Sequence, residues 1–235
     1  MSNRREPLLL LPGLICDQTA WQQQIDALSD VAICTCADYG SLDSIPAMAE
    51  HVLHSAPERF SIAGHSMGGR VALEIMRAAP RRITGLALLN TGVHAVRDGE
   101  PQSRSRLLRV AYEHGMPALA AEWLPPMLGS DAARAAELMP RLRTMIQSFT
   151  AEAYAGQVSA MLNRPEVLSV LPSIAVPTLL LSGSDDTWSP VSQQQSIRRR
   201  IPHATLFEIH GAGHMAPVER PDSVTIALRE WLLTI

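Results

Sequence analysis

The chain has 235 residues, 46% of them hydrophobic and 18% charged, with a formal net charge of −3. That is enough for one domain with a sizeable core, and the near-balanced charge argues against a nucleic-acid or anionic-membrane partner. No stretch approaches the roughly 18 consecutive apolar residues that a membrane-spanning helix needs.

At the start, Arg4-Arg5 followed by Leu8 to Leu11 superficially has the look of a leader peptide. Glu6 and Pro7 interrupt it, the apolar run is short, and Pro12-Gly13 ends it without a cleavage site, so the expected setting is cytoplasmic. Instead, Leu8-Leu9-Leu10-Leu11 reads as a strand buried on both faces, as in a parallel sheet. Trp21, Ile25 and Leu28 then stand at helical spacing within a helix expected from Thr19 to Leu28. A second strand is expected over Val31 to Cys36, a loop at Asp38-Tyr39-Gly40, and a helix over Ser44 to His54 with Ile45, Met48, Val52 and Leu53 as its stripe. The cysteines Cys16, Cys34 and Cys36 cannot all pair and show no metal-ligand spacing. Cys34 and Cys36 alternate along the second strand, so buried thiols and a reducing compartment are expected.

Phe60 to Ala63 is the third strand, and it runs into Gly64-His65-Ser66-Met67-Gly68-Gly69-Arg70. A helix leaves this stretch with Val71, Ala72, Ile75, Met76 and Ala79 on one face. Strand, G-x-S-x-G, helix is the context of a nucleophile elbow. A serine at so sharp a turn needs nearly side-chain-free neighbours, and its oxygen is held near the positive end of a helix dipole. The plainer alternative is a glycine-rich turn before a helix. Ile83 to Leu89 is the fourth strand, ending at Asn90-Thr91-Gly92.

From about Pro101 to Leu162 there is only helical periodicity, broken by Gly115, Pro117, Pro125-Pro126, Gly129 and Pro140, which predicts short amphipathic helices. Arg104, Arg106 and Arg109, like Arg198 to Arg200 later, read as solvated helix faces. The strand rhythm resumes with Val176 to Leu181, followed by a helix near Val191 to Arg200, a strand over Thr205 to Ile209 and a helix over Asp222 to Leu233. Alternating strands and helices predict an α/β fold with a mostly parallel sheet covered on both faces.

A serine hydroxyl becomes a nucleophile only when a base takes its proton and a carboxylate orients that base. In an open parallel sheet such groups come from loops at the carboxyl ends of strands. Two loops qualify: Ser182 to Pro190, carrying Asp185 and Asp186, and His210 to Pro217, carrying His210 and His214. The order Ser66, Asp186, His214 is that of the α/β-hydrolase fold. Leu11-Pro12-Gly13-Leu14, the Gly64 to Gly69 elbow, Gly183 through Pro190, and Gly213-His214 through Pro221 span nearly the whole chain, and with them it resembles an α/β-hydrolase of the small esterase, lactonase and C–C hydrolase branch.

The resemblance implies the α/β-hydrolase fold, with a helical lid inserted after the fourth recognisable strand. It divides the chain into a first core part at 1–98, a lid at 99–170 and a second core part at 171–235. It puts the catalytic nucleophile at Ser66, the acid at Asp186 rather than Asp185, and the base at His214 rather than His210. The oxyanion donors fall on the backbone N–H groups of Leu14 and Met67. Pro12 stands where many relatives carry a histidine. The implied reaction is cleavage of a small, mostly apolar ester or lactone through an acyl-enzyme, with no metal or organic cofactor. It needs neutral His214, so hydrolysis is expected to fall at acidic pH. The alternatives are a C–C hydrolase or lyase using the same residues, and a non-enzymatic ligand receptor. Leu107, Leu108, Met116, Trp123, Met127, Met145, Phe149 and Met161, among others in the lid, predict an apolar and adaptable chamber. Arg164 and His94, near the ends of the lid, are expected at the surface, with a substrate carboxylate as the alternative partner. The partner is a small-molecule substrate, with no nucleic acid and no membrane; the lining of the pocket and the oligomeric state stay open.

Overall fold

The computed structural model describes residues 5–235. Arg4, half of the Arg-Arg pair weighed as a leader, lies outside the described residues. Six strands, β1 (Glu6–Leu11), β2 (Ala32–Cys36), β3 (Phe60–His65), β4 (Ile83–Leu89), β5 (Thr178–Gly183) and β6 (Thr205–Ile209), form one parallel sheet in the order β2-β1-β3-β4-β5-β6. β3 is buried along its whole length, as are the last four residues of β1, which is why Leu8–Leu11 reads as an unbroken apolar run and Phe60–Ala63 as one interrupted only by Ser61. Burying each such Leu or Ile stabilises the fold by about 1.5–3 kcal/mol. β2 is an edge strand, and Cys34 and Cys36 are therefore only half-buried, not fully buried as expected. All three cysteines are free thiols.

The strand order reverses at β1. The chain steps outward to β2, returns past β1 to β3, and then continues the other way. Crossovers between parallel strands are right-handed, so the reversal puts the β1–β2 connection on the opposite face from the β2–β3 and β3–β4 connections. Accordingly α1 (Gln22–Ala27) packs with the terminal α9 (Pro221–Leu232), whereas α2 (Ile45–Ser55) packs with α3 (Met67–Ala78). Loops leaving β1 and β3 diverge at this switch point and open a crevice above the strand ends, where ligands of open α/β sheets bind.

Local chemistry accounts for most element ends. Ser44 caps α2 by accepting from the Ala47 amide. The helix expected over Thr19–Leu28 instead splits into a 3-10 turn (Gln18–Ala20) and α1, because the Asp17 carboxylate caps the first turn at the Thr19 amide and Trp21 turns into the core. Between β4 and β5 run α4 (Glu100–Trp123), α5 (Ala132–Gln147) and α6 (Ala151–Leu162). Gly115 kinks α4 at φ 79°, ψ 171°, a conformation open to glycine alone. Pro140 was expected to break a helix, yet α5 continues through it. Pro140 and Ala136, whose carbonyl loses its partner there, are both exposed, so water can take the donor's place. Beyond β5 come α7 (Val191–Arg198) and, after β6, the single turn α8 (Ala216–Glu219), which periodicity did not reveal. Among the described residues no helix is long and apolar enough to cross a membrane.

Candidate active site

Ser66 stands between β3 and α3 with φ 54° and ψ −115°, a strained conformation for a side chain with a Cβ. The turn closes because Gly64 and Gly68 lack side chains. A Cβ on Gly64 would lie 2.4 Å from the Gly68 carbonyl oxygen, and one on Gly68 only 2.0 Å from that of Leu11. The Ser66 amide donates to Leu89 O (2.9 Å), and the Thr91 hydroxyl donates to Ser66 O (2.7 Å), so β4 and its loop hold the turn from the side.

Ser66 Oγ lies 2.8 Å from His214 Nε2, and His214 Nδ1 lies 2.9 Å from Asp186 Oδ2. These three side chains come from the ends of β3, β6 and β5. Asp186 is buried, and its second oxygen accepts the amides of Trp188 (2.8 Å) and Ser189 (2.9 Å). Asn90 Nδ2 donates to Oδ2 as well (2.8 Å). Burial pushes the Asp186 carboxyl up, but the hydrogen bond and charge of His214, with Asn90 and the Ser189 amide, outweigh it and hold the pKa below the usual value. An ionised Asp186 only accepts, so His214 carries its hydrogen on Nδ1 and leaves the Nε2 lone pair for the serine proton. The arrangement can therefore generate an alkoxide-like oxygen at Ser66.

Leu14 and Met67 both border one small cavity beside Ser66. Met67 is the first residue of α3, so its N–H has no carbonyl one turn back. The Leu14 N–H has no hydrogen-bond acceptor among the described residues. Its loop is braced by Gln157 of α6, whose Oε1 accepts from the Ile15 amide (2.7 Å) while Nε2 reaches Gly40 O (3.3 Å). Leu14, Met67, Ser66 and His214 line one small cavity together. Cys16 lies there too, but burial and the nearby Asp17 carboxylate push its thiol far up, so it stays protonated.

The neighbouring acids and histidines are accounted for. Asp185 accepts from the Ser130 amide and hydroxyl and from Ser184, which bring its pKa down to about 2. It thus ties the β5 loop to the segment after α4. His210 is exposed just after the end of β6. His65 was given no part by the sequence. It is buried against the site, donating from Nε2 to His214 O (2.7 Å), with its ring centroid 5.3 Å from that of His214. Glu219 holds the His214 loop from below by accepting the amides of Gly213 (3.0 Å) and Met215 (3.1 Å).

A cavity of about 570 Å³ opens above Ser66 and His214. Leu107, Trp123, Tyr154 and Met161 give it one apolar wall, and Trp188 packs between Trp123 and His214. Most of the other apolar side chains between β4 and β5 are buried in the hydrophobic core that is continuous with that of the sheet. The charged part of the lining overturns the expectation of an apolar chamber. Arg164, expected at the surface, is buried and pairs with both oxygens of Glu100 (2.8 Å each). Arg104, expected on a solvated helix face, is half-buried and pairs with Glu100 as well (2.9 Å). Burial would raise the Glu100 carboxyl, but these partners and the Arg97 amide carry it down to about 2. His94 is half-buried beside them, not a surface residue. Among the described residues no group of three or more His, Cys, Asp or Glu side chains is gathered as a metal site.

The profile of the family described as serine aminopeptidase, S33, matches residues 41–221. The chain belongs to this family of α/β-hydrolases. The α/β-hydrolase is 26% identical over 241 residues to 3-oxoadipate enol-lactonase 2 of Acinetobacter baylyi, covering 95% of this chain and 87% of that protein. An esterase from Thermogutta terrifontis, solved with malate bound, superposes with a TM-score of 0.87 at 29% identity, covering 97% of this chain and 90% of that one. A Haemophilus influenzae relative of esterase/lipase type is 24% identical over 209 residues, and the matched region spans 79% of this chain but 66% of that protein.

Proposed function

We propose that this α/β-hydrolase is a serine hydrolase that cleaves a small carboxylic ester or lactone through an acyl-enzyme. The observation that carries the reading is the unbroken run of hydrogen bonds from Ser66 Oγ through His214 to Asp186. Ser66 attacks the carbonyl as His214 takes its proton, and Asp186 stabilises the imidazolium. The Leu14 and Met67 amides receive the oxyanion; one such donor is worth about 3 kcal/mol in the transition state. His214 returns the proton to the leaving alcohol, then activates the water that releases the acid. Residues 99–170 act as the lid that walls the cavity, as the resemblance implies. The names of the relatives, esterase and enol-lactonase, point to the same chemistry. The free thiols support a reducing, cytoplasmic setting.

Hydrolysis of p-nitrophenyl esters from acetate to octanoate tests this. Wild type turns them over, and Ser66→Ala loses about 10⁴-fold or more in kcat. Equal rates in the two proteins would remove the nucleophile from the reaction. A folded wild type inert on every ester would instead favour C–C bond cleavage or ligand binding.

A further inference from the structure

Ser66 is the N-cap of α3, and Arg70 lies four residues on, one helical turn above it on the same face. Arg70 is 3% exposed, lines the 570 Å³ cavity, and makes one hydrogen bond, from Nη2 to His94 O (2.5 Å). Among the described residues no carboxylate lies within ion-pair distance of it. The nearest acid, Glu100, is already taken by Arg104 and Arg164, so three guanidinium groups share one carboxylate. Arg164 is saturated, since it also donates to Met161 O (2.7 Å) and Ala95 O (2.8 Å). Arg70 is not. Burial and the Arg164 charge bring its pKa down to about 9, so it is still a cation at neutral pH. A buried cation with unused donors and no counter-ion is costly unless a ligand supplies the anion.

We propose that Arg70 receives a carboxylate carried by the substrate, so that the protein acts on esters or lactones with an acidic group a short chain away from the scissile carbonyl. This rests on the serine-hydrolase reading above. The apolar wall of Leu107, Trp123 and Met161 contacts the methylene chain, and the guanidinium fork takes the carboxylate in two parallel hydrogen bonds. Three guanidinium groups around the one Glu100 carboxylate leave this part of the cavity positive, and the planar fork of Arg70 matches the planar carboxylate in shape.

The test compares monomethyl with dimethyl esters of succinic, glutaric and adipic acids, which share a skeleton and differ in one charge. Wild type favours the monomethyl ester of at least one length by about tenfold or more in kcat/KM, mostly through KM. Arg70→Met reduces that ratio by about tenfold or more, Arg70→Lys restores part of it, and added salt weakens it. Thermal melts show whether each variant is folded. Turnover of both series without preference overturns the carboxylate site and leaves the hydrolase reading standing. If neither series is hydrolysed, the hydrolase reading is what fails for these esters, and calorimetry decides the site. Glutarate titrated into Ser66→Ala gives heat that the Ser66→Ala, Arg70→Met double variant lacks. Absence of heat, or binding of inorganic phosphate in place of glutarate, overturns the proposal.

Discussion

His65 donates its Nε2 hydrogen to the His214 carbonyl, so its other nitrogen is unprotonated, and that Nδ1 has no partner. Burial, helped by the nearby His214, lowers its pKa from 6.5 to about 4. The unfolded chain therefore binds a proton between these values that the folded chain refuses. Stability from this residue is full above pH 6.5 and is lost as pH falls towards 4, by about 3 kcal/mol in all. Denaturant titrations from pH 7 to pH 4 should show a shallower acid slope for His65→Gln than for wild type. Identical slopes would mean that other groups carry the acid sensitivity. The same ring holds the backbone of His214, so this acid sensitivity is expected to reach the candidate site.

At the scale of elements, the contact between α3 and β1 decides whether an elbow exists. The helix starts so close to the strand end that Gly68 touches the Leu11 carbonyl, and Leu11 in turn leads into the loop that presents the Leu14 amide. Gly68→Ala must push α3 away or bend β1, which costs about 3 kcal/mol or more. The expected outcome is a sharply lowered Tm, with ester hydrolysis reduced beyond what the loss of folded protein explains. A variant as stable and as active as wild type would show that the approach is looser than the geometry indicates. Pro140 teaches the opposite lesson. Its position suggested a break, but a proline on the exposed side of α5 removes only a hydrogen bond that water replaces.

Over the whole molecule, the segment that joins α4 to α5 is tied to both loops of the second core part. Glu219 accepts the amides of Gly129, Gly213 and Met215, the His214 amide donates to Met127 O (2.7 Å), and Asp185 holds Ser130. The cavity wall and the His214 loop are thereby fastened to one buried carboxylate. Glu219→Ala leaves three amides without their acceptor and should destabilise the protein by about 3 kcal/mol or more, with a fall in kcat. Denaturant unfolding and ester kinetics check this together. Unchanged stability would show that water replaces the carboxylate at all three amides.

The residues themselves determined a good deal of this. Continuous apolar runs announced the buried parallel strands, and glycines around Ser66 announced the elbow, because steric demands of that kind leave few residue choices. The spacing of Asp186 and His214 after two further strands placed them at the same sheet end. Other features had no local signature. Nothing in the sequence around Arg70, Glu100, Arg104 or Arg164 distinguishes a charged cavity wall from a solvated helix face, since charge is equally at home in water. Asn90 looked like a strand end until the fold brought its amide to Asp186, and nothing local showed which groups His65 and Glu219 would hold. Which polar groups become buried, and against what, depends on contacts between residues far apart in the chain; only the tertiary structure decides them.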